Sequence, residues 1–126
     1  MLELGSNLAK DFSAGDLVLL VGELGAGKTT FVRGVLLGLG FTGHVKSPTY
    51  NLIQTYATDP PVMHSDLYRV KSSRGLGLEE YLETHLCFVE WPDRLDRVDQ
   101  GIEIGIEFTQ VGRRVTIRNN SERRRL

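Results

Sequence analysis

Between Gly22 and Thr30 the chain reads GELGAGKTT, and this stretch limits what the sequence can fold into more than any other. It fits G-x-x-x-x-G-K-[ST], the phosphate-binding P-loop or Walker A pattern, which has meaning only between a buried strand and a helix. Both neighbours are present. The apolar run Leu17-Val18-Leu19-Leu20-Val21 reads as a strand buried on both faces. From Lys28 to Leu39 the spacing is helical, with Phe31, Val32, Val35, Leu36 and Leu39 forming the buried stripe.

The residue types follow from the chemistry of holding an anion. Gly22, Gly25 and Gly27 let the backbone bend and approach a phosphate with no β-carbon in the way. The free amides and positive dipole end of the following helix favour negative charge, and the Lys28 ammonium reaches the outer phosphates as a mobile point charge. Thr29 offers its hydroxyl to magnesium. The expectation is a nucleoside triphosphate site.

A chain of 126 residues is one domain, 1–126, large enough for a core without staples. Its single cysteine, Cys87, lies in an apolar run, so no intramolecular disulfide forms and a reducing, cytoplasmic setting is expected. No span is long enough to cross a membrane, and the start lacks a basic-then-apolar leader pattern. The net charge of −1 hides an asymmetry: from Arg113 to Leu126 there are six arginines and one glutamate. The end of the chain, from about residue 119, reads as a flexible basic tail that either meets an acidic partner or nucleic acid or is simply solvated.

Around the P-loop the remaining elements can be read in order. Leu4, Leu8 and Phe12 recur every four residues and predict an amphipathic helix ending near Gly15. Gly34 and Gly38, inside the second helix, read as points of close approach by a neighbouring element. Ser47-Pro48-Thr49-Tyr50 is a loop entering a strand, Asp59-Pro60-Pro61 a turn, and Val62 to Tyr68 the second half of a hairpin with Asp66 near its end. Lys71 to Gly77 is a loop, Leu78, Tyr81 and Leu82 predict a short helix, and Leu86-Cys87-Phe88-Val89 is a second fully apolar strand stopped by Glu90-Trp91-Pro92. Ile102, Ile104, Ile106 and Phe108 alternate with Glu103 and Glu107, and Val115 and Ile117 return after a turn at Gly112, which predicts an antiparallel hairpin extending the sheet.

A P-loop needs an acidic residue at the end of a neighbouring apolar strand to serve magnesium. Glu90 is best placed, and Asp66 is the second candidate, either orienting an attacking water or capping the turn at Tyr68-Arg69.

The succession GELGAGKTT, VKSPTYNLI, HSDLYR and VEWPDRL resembles the bacterial TsaE family, from Leu4 to about Ile117. The resemblance implies an α/β, three-layer P-loop NTPase-like fold with a mixed sheet, its parallel core extended by antiparallel strands. It further implies a magnesium-dependent ATPase of tRNA threonylcarbamoyladenosine synthesis, slow alone, working with TsaB and TsaD and meeting tRNA through that complex. Carried onto this chain, Leu24, Gly25, Ala26, Gly27, Lys28, Thr29, Thr30, Asp66 and Trp91 bind the nucleotide, Thr29 and Glu90 serve the metal, and Lys28, Asp66 and Glu90 act in catalysis. Thr49 matches a position of supporting role. Two departures stand out: Ser65 lies where the family usually has an aromatic, which is expected to loosen packing behind Asp66. The family's short N-terminal segment before the first helix is also missing, which bears on contacts to the adenine side and on the strand count at one sheet edge.

Other P-loop classes fit less well. A small-molecule kinase needs an acceptor pocket and an arginine-bearing lid, for which only the short stretch Lys71 to Gly77 is available. A signalling GTPase would carry D-x-x-G and N-K-x-D, and Asp66 is followed by Leu-Tyr-Arg instead. A nucleotide-dependent interaction module with negligible turnover is the remaining alternative.

Overall fold

The computed structural model describes residues 1–45, 52–96 and 101–119. After helix α1 (Leu2–Leu8), strand β1 (Leu17–Val21) leads through the P-loop into helix α2 (Lys28–Gly38). Strands β2 (Ile53–Tyr56), β3 (Val62–Asp66), β4 (Leu86–Glu90), β5 (Ile102–Thr109) and β6 (Gly112–Asn119) follow. The sheet order is β2-β3-β4-β1-β5-β6. The inner four strands run parallel, while β2 pairs antiparallel with β3 and β6 antiparallel with β5. This is an α/β fold with a mixed sheet whose parallel core is extended at both edges, as the sequence predicts.

Alternation assigns each strand's side chains to a face. Val18, Leu20, Val62, Leu86, Phe88, Ile104 and Ile106 meet Phe31, Val32, Val35 and Leu36 of α2. Leu19, Met63, Cys87 and Val89 point the other way, onto Leu67 and Leu78. Both β1 and β4 are therefore covered on two sides, which is why they read as continuous apolar runs.

The helix-bearing face depends on small residues. A β-carbon on Gly34 would collide with the carbonyl of Leu2, one on Gly5 with that of Phe31, and one on Gly38 would lie 2.6 Å from both Ser6 O and Ala9 Cβ. The close approach read at Gly34 and Gly38 is thus α1 lying backbone to backbone on α2.

Three elements differ from the sequence reading. The first helix ends at Leu8 and tightens into a 3-10 turn at Ala9–Asp11, because Gly5, Ser6 and Asn7 propagate a helix poorly. Phe12 lies beyond it in extended backbone yet still reaches the core, edge-on to Phe88 with centroids 5.8 Å apart. The short helix expected around Leu78 is a single 3-10 turn, Leu78–Glu80; eight residues between Gly77 and β4 are too few to repay helix nucleation. Phe108, expected with Ile104 and Ile106 on the buried face, is half exposed because the β5–β6 hairpin runs past the layer that covers its base. The SPTY loop, including Ser47 and Thr49, and the tail beyond Asn119 lie outside the described residues.

Candidate functional site

The carboxyl ends of β1, β3 and β4 lie side by side, and the sequence-predicted residues gather there. The P-loop leaves β1 at Val21 and closes with Gly25 at φ 79° and Gly27 at φ 116°, backbone values that glycine adopts without cost. Leu24 stands exposed at the tip, Ala26 is buried beneath it, and Thr29 and Thr30 follow Lys28 in the first turn of α2.

Lys28 is only 4% exposed. Its Nζ donates to the carbonyl of Gly22 at 2.5 Å and sits 4.0 Å from the centre of the Trp91 ring, a cation–π position. Burial lowers its pKa, against the opposing pull of Glu90, Asp66 and Asp93. A desolvated ammonium held by one carbonyl and a ring face is a cation for which an incoming phosphate is a far better partner.

In register, Leu20 of β1 and Asp66 of β3 both pair with Glu90 of β4. Glu90 is buried, and its Oε2 accepts a hydrogen bond from Thr29 Oγ1 at 2.8 Å. The hydroxyl and the carboxylate read from the sequence as metal-serving residues thus touch. Asp66, half-buried on the neighbouring strand, has its pKa raised chiefly by burial, while the Tyr68 backbone N–H, donating to Oδ1 at 3.0 Å, pulls it down. It therefore caps its own turn and faces the site together.

The donor set suits a hard divalent ion. Among the described residues no cluster of three or more His, Cys, Asp and Glu side chains forms a closed cage. Magnesium needs none, since it takes one or two protein oxygens and completes its shell with water and phosphate. Thr29 Oγ1 and Glu90 Oε2, 2.8 Å apart, are oxygens of the kind such an ion takes.

Trp91 leaves β4 with φ 60°, a left-handed conformation that costs a non-glycine residue about 1 kcal/mol or more. Its ring is thereby turned between Lys28 and Tyr68, whose ring centroid is 5.0 Å away. Two further residues of the site lie inside the stretches HSDLYR and VEWPDRL but were given no role by the sequence reading. His64, fully buried on β3, places Nε2 2.6 Å from Glu90 Oε2; the alternation His64-x-Asp66, which sends both side chains to one face, is the signal that leads to it. Arg94 donates through Nη1 to the carbonyls of Leu67, Tyr68 and Val70 at 3.2, 2.7 and 3.1 Å. It ties the segment after β3 to the segment after β4, and nothing in its sequence surroundings announces this.

Comparisons with known proteins bear on the family and the fold. The family model described as threonylcarbamoyl adenosine biosynthesis protein TsaE matches residues 1–123. The tRNA threonylcarbamoyladenosine biosynthesis protein TsaE of Streptomyces coelicolor is 45% identical over 98 residues, covering 72% of this chain and 66% of its own. The protein of the same name from Rickettsia felis is 38% identical over 129 residues, covering 95% of this chain and 75% of its own. Against two further relatives of that name the match spans about half of their length, 52% and 51%. The crystal structure of Bacillus subtilis YdiB superposes with a TM-score of 0.77 at 32% identity, over 99% of this chain and 84% of that one. A family model matched along nearly the whole chain, and a solved fold that superposes on nearly all of it, make this chain a member of the TsaE family.

Proposed function

We propose that the chain binds ATP with magnesium at the P-loop and hydrolyses it slowly by itself. We further propose that it contributes this step, in the cytoplasm and together with TsaB and TsaD, to the formation of threonylcarbamoyladenosine on tRNA. The observation that carries the reading is the Thr29–Glu90 contact of 2.8 Å beside the buried Lys28, a hydroxyl, a carboxylate and a cation where a P-loop needs them. The names of the relatives supply the tRNA product. No helix among the described residues is long and apolar enough to cross a membrane.

Lys28 leaves the Gly22 carbonyl and the Trp91 face to neutralise the outer phosphates. Thr29 and Glu90 hold the metal ion, which when bound offsets charge on the phosphate oxygens. Asp66, with its pKa raised by burial, is a better proton acceptor than an exposed aspartate and orients the attacking water from the adjacent strand. Arg94, on the rim of the site, is committed to three backbone carbonyls. Its charge is held by the loop rather than offered to a phosphate. Slow turnover alone follows, with partners ordering the site or adding charge; a cation supplied in trans accelerates phosphoryl transfer by about three to five powers of ten.

ADP release from purified chain, with ATP and magnesium, measured with and without TsaB and TsaD, tests this. A low rate that rises when both partners are present is expected. Failure to bind ATP in the presence of magnesium, or transfer of the phosphoryl group to a small acceptor instead of water, overturns it.

A further inference from the structure

Alternation along β3 sends Val62, His64 and Asp66 toward α2, while Met63 and Leu67 join the opposite core. On β4 the same rule sends Leu86, Phe88 and Glu90 toward α2. The parallel register pairs His64 with Phe88 and Asp66 with Glu90, so the imidazole rises beside the Glu90 side chain from one strand over. His64 is 0% exposed, and its Nε2 lies 2.6 Å from Glu90 Oε2. A carboxylate oxygen accepts, so Nε2 carries the hydrogen and donates it. Nδ1 has no partner among the described residues, which makes the bond to Glu90 the imidazole's one polar commitment there.

Two donors therefore converge on a single oxygen. Thr29 Oγ1 reaches Oε2 from the first turn of α2 and His64 Nε2 reaches it from β3, whereas Oε1 takes part in neither bond. The two anchors differ in permanence. Thr29 sits on the element that meets the nucleotide, and its bond to Glu90 is rearranged once its oxygen turns to a cation. His64 is buried in a central strand and holds its bond regardless of what the P-loop carries.

We propose that His64 is a positioning residue that aims the Glu90 carboxylate at the magnesium position through its Nε2–H, a proposal that rests on the metal role assigned to Glu90 above. An outer hydrogen bond of this kind fixes the direction of a carboxylate, and its loss costs about 10- to 100-fold in metal affinity. A buried histidine with a merely structural role would affect folding and nucleotide affinity alike, with no particular link to the metal.

The test uses the full chain and a non-hydrolysable ATP analogue, with dissociation constants measured by calorimetry in magnesium and in EDTA; their ratio reports the magnesium effect. His64→Phe fills the volume without a donor, and His64→Gln keeps an N–H at about the reach of Nε2. His64→Phe is expected to shrink the ratio by about tenfold or more while leaving affinity in EDTA close to that of the parent, and His64→Gln to recover most of it. Should His64→Phe not fold, His64→Asn, whose amide falls short of Glu90, replaces it, and a larger magnesium effect in Gln than in Asn is expected. A parent-sized magnesium effect in the donor-less variant overturns the proposal. So does an equal loss of affinity with and without the metal, accompanied by a lower Tm, and so do equal effects in Gln and Asn. If the parent itself shows no magnesium effect, the metal reading of Glu90 falls, and this proposal with it; if the effect disappears in Glu90→Gln but persists without the His64 donor, only this proposal falls.

Discussion

The two faces of the sheet are covered by opposite means. On one, α1 and α2 lie backbone to backbone through Gly5, Gly34 and Gly38 above a layer of apolar side chains. On the other, the segments after β3 and β4 cover Leu19, Met63, Cys87 and Val89 with turns rather than helices, joined by polar bonds. Arg94 holds three carbonyls there, the Ser73 backbone N–H donates to Arg94 O at 2.8 Å, and the Asp96 N–H donates to Ser73 Oγ at 2.7 Å. Both faces bury apolar side chains, to which the first adds steric fit between helix backbones and the second hydrogen bonds to backbone. The site lies at the sheet end where they meet: the first contributes Lys28 and Thr29, the second Tyr68 and Trp91. The phosphate loop thus faces a rim tied down by the hydrogen bonds of Arg94.

The largest effect expected is on the helix side of this junction. Lys28→Ala should lower ATP turnover by about 100-fold or more with Tm little changed, because the lysine's polar contacts serve the site and not the core. Unchanged turnover in a folded variant would remove the P-loop from the mechanism.

A pair of glycine changes measures the difference between the faces directly. Gly34→Val drives a side chain into the Leu2 carbonyl and should cost about 3 kcal/mol by overpacking. Gly75, in the turns of the other face, has open space around its β-carbon position but φ 83°, so Gly75→Ala should cost only about 1 kcal/mol, from the backbone. Equal losses in chemical denaturation would mean that the second face is as tightly packed as the first.

Arg94→Met keeps the apolar stem and removes the three carbonyl bonds. A loss of about 2 kcal/mol is expected, and hydrogen exchange should quicken over residues 67–73 while α2 keeps its protection. Faster exchange in α2 as well would show that the faces are coupled.

The smallest effect is one of pH. Burial raises the Asp66 pKa above that of the unfolded chain, so the native state holds this proton more tightly. Its contribution to stability is fully present below about pH 4 and is lost as pH rises through the native value. Asp66→Asn should therefore raise Tm modestly at neutral pH, with the gain vanishing toward pH 4; a gain that grows on acidification would reverse the sign.

What the sequence displayed of this architecture was whatever is written in local pattern. The P-loop between its strand and helix, β4 ending in Glu90 and the two hairpins all depend on neighbours in the chain, while the close approach at Gly34 and Gly38 was legible from two glycines four apart inside a helical stripe. The Thr29–Glu90 pairing was legible because the P-loop motif names Thr29 and the apolar run before Glu90 marks the strand end where its acidic partner belongs. Arg94 was not, since its three acceptors are backbone carbonyls more than twenty residues earlier, and every residue has a carbonyl. Gly5, against the Phe31 carbonyl, was missed because a single glycine in a short helix does not show the four-residue spacing that marked Gly34 and Gly38. Ser65 was expected to loosen packing, and the structure shows a fully buried hydroxyl with no partner among the described residues, a cost that pattern alone does not reveal.

Trp91 is the chain's single tryptophan, and its indole lies between the Lys28 ammonium and the Tyr68 ring. Indole emission responds to a cation over its face, so if Lys28 leaves for a phosphate as proposed, the colour and intensity of the protein's own fluorescence would change. On that reading the molecule would carry an unlabelled optical reporter at the mouth of its site, one that signals ligand arrival before any bond in the ligand is broken.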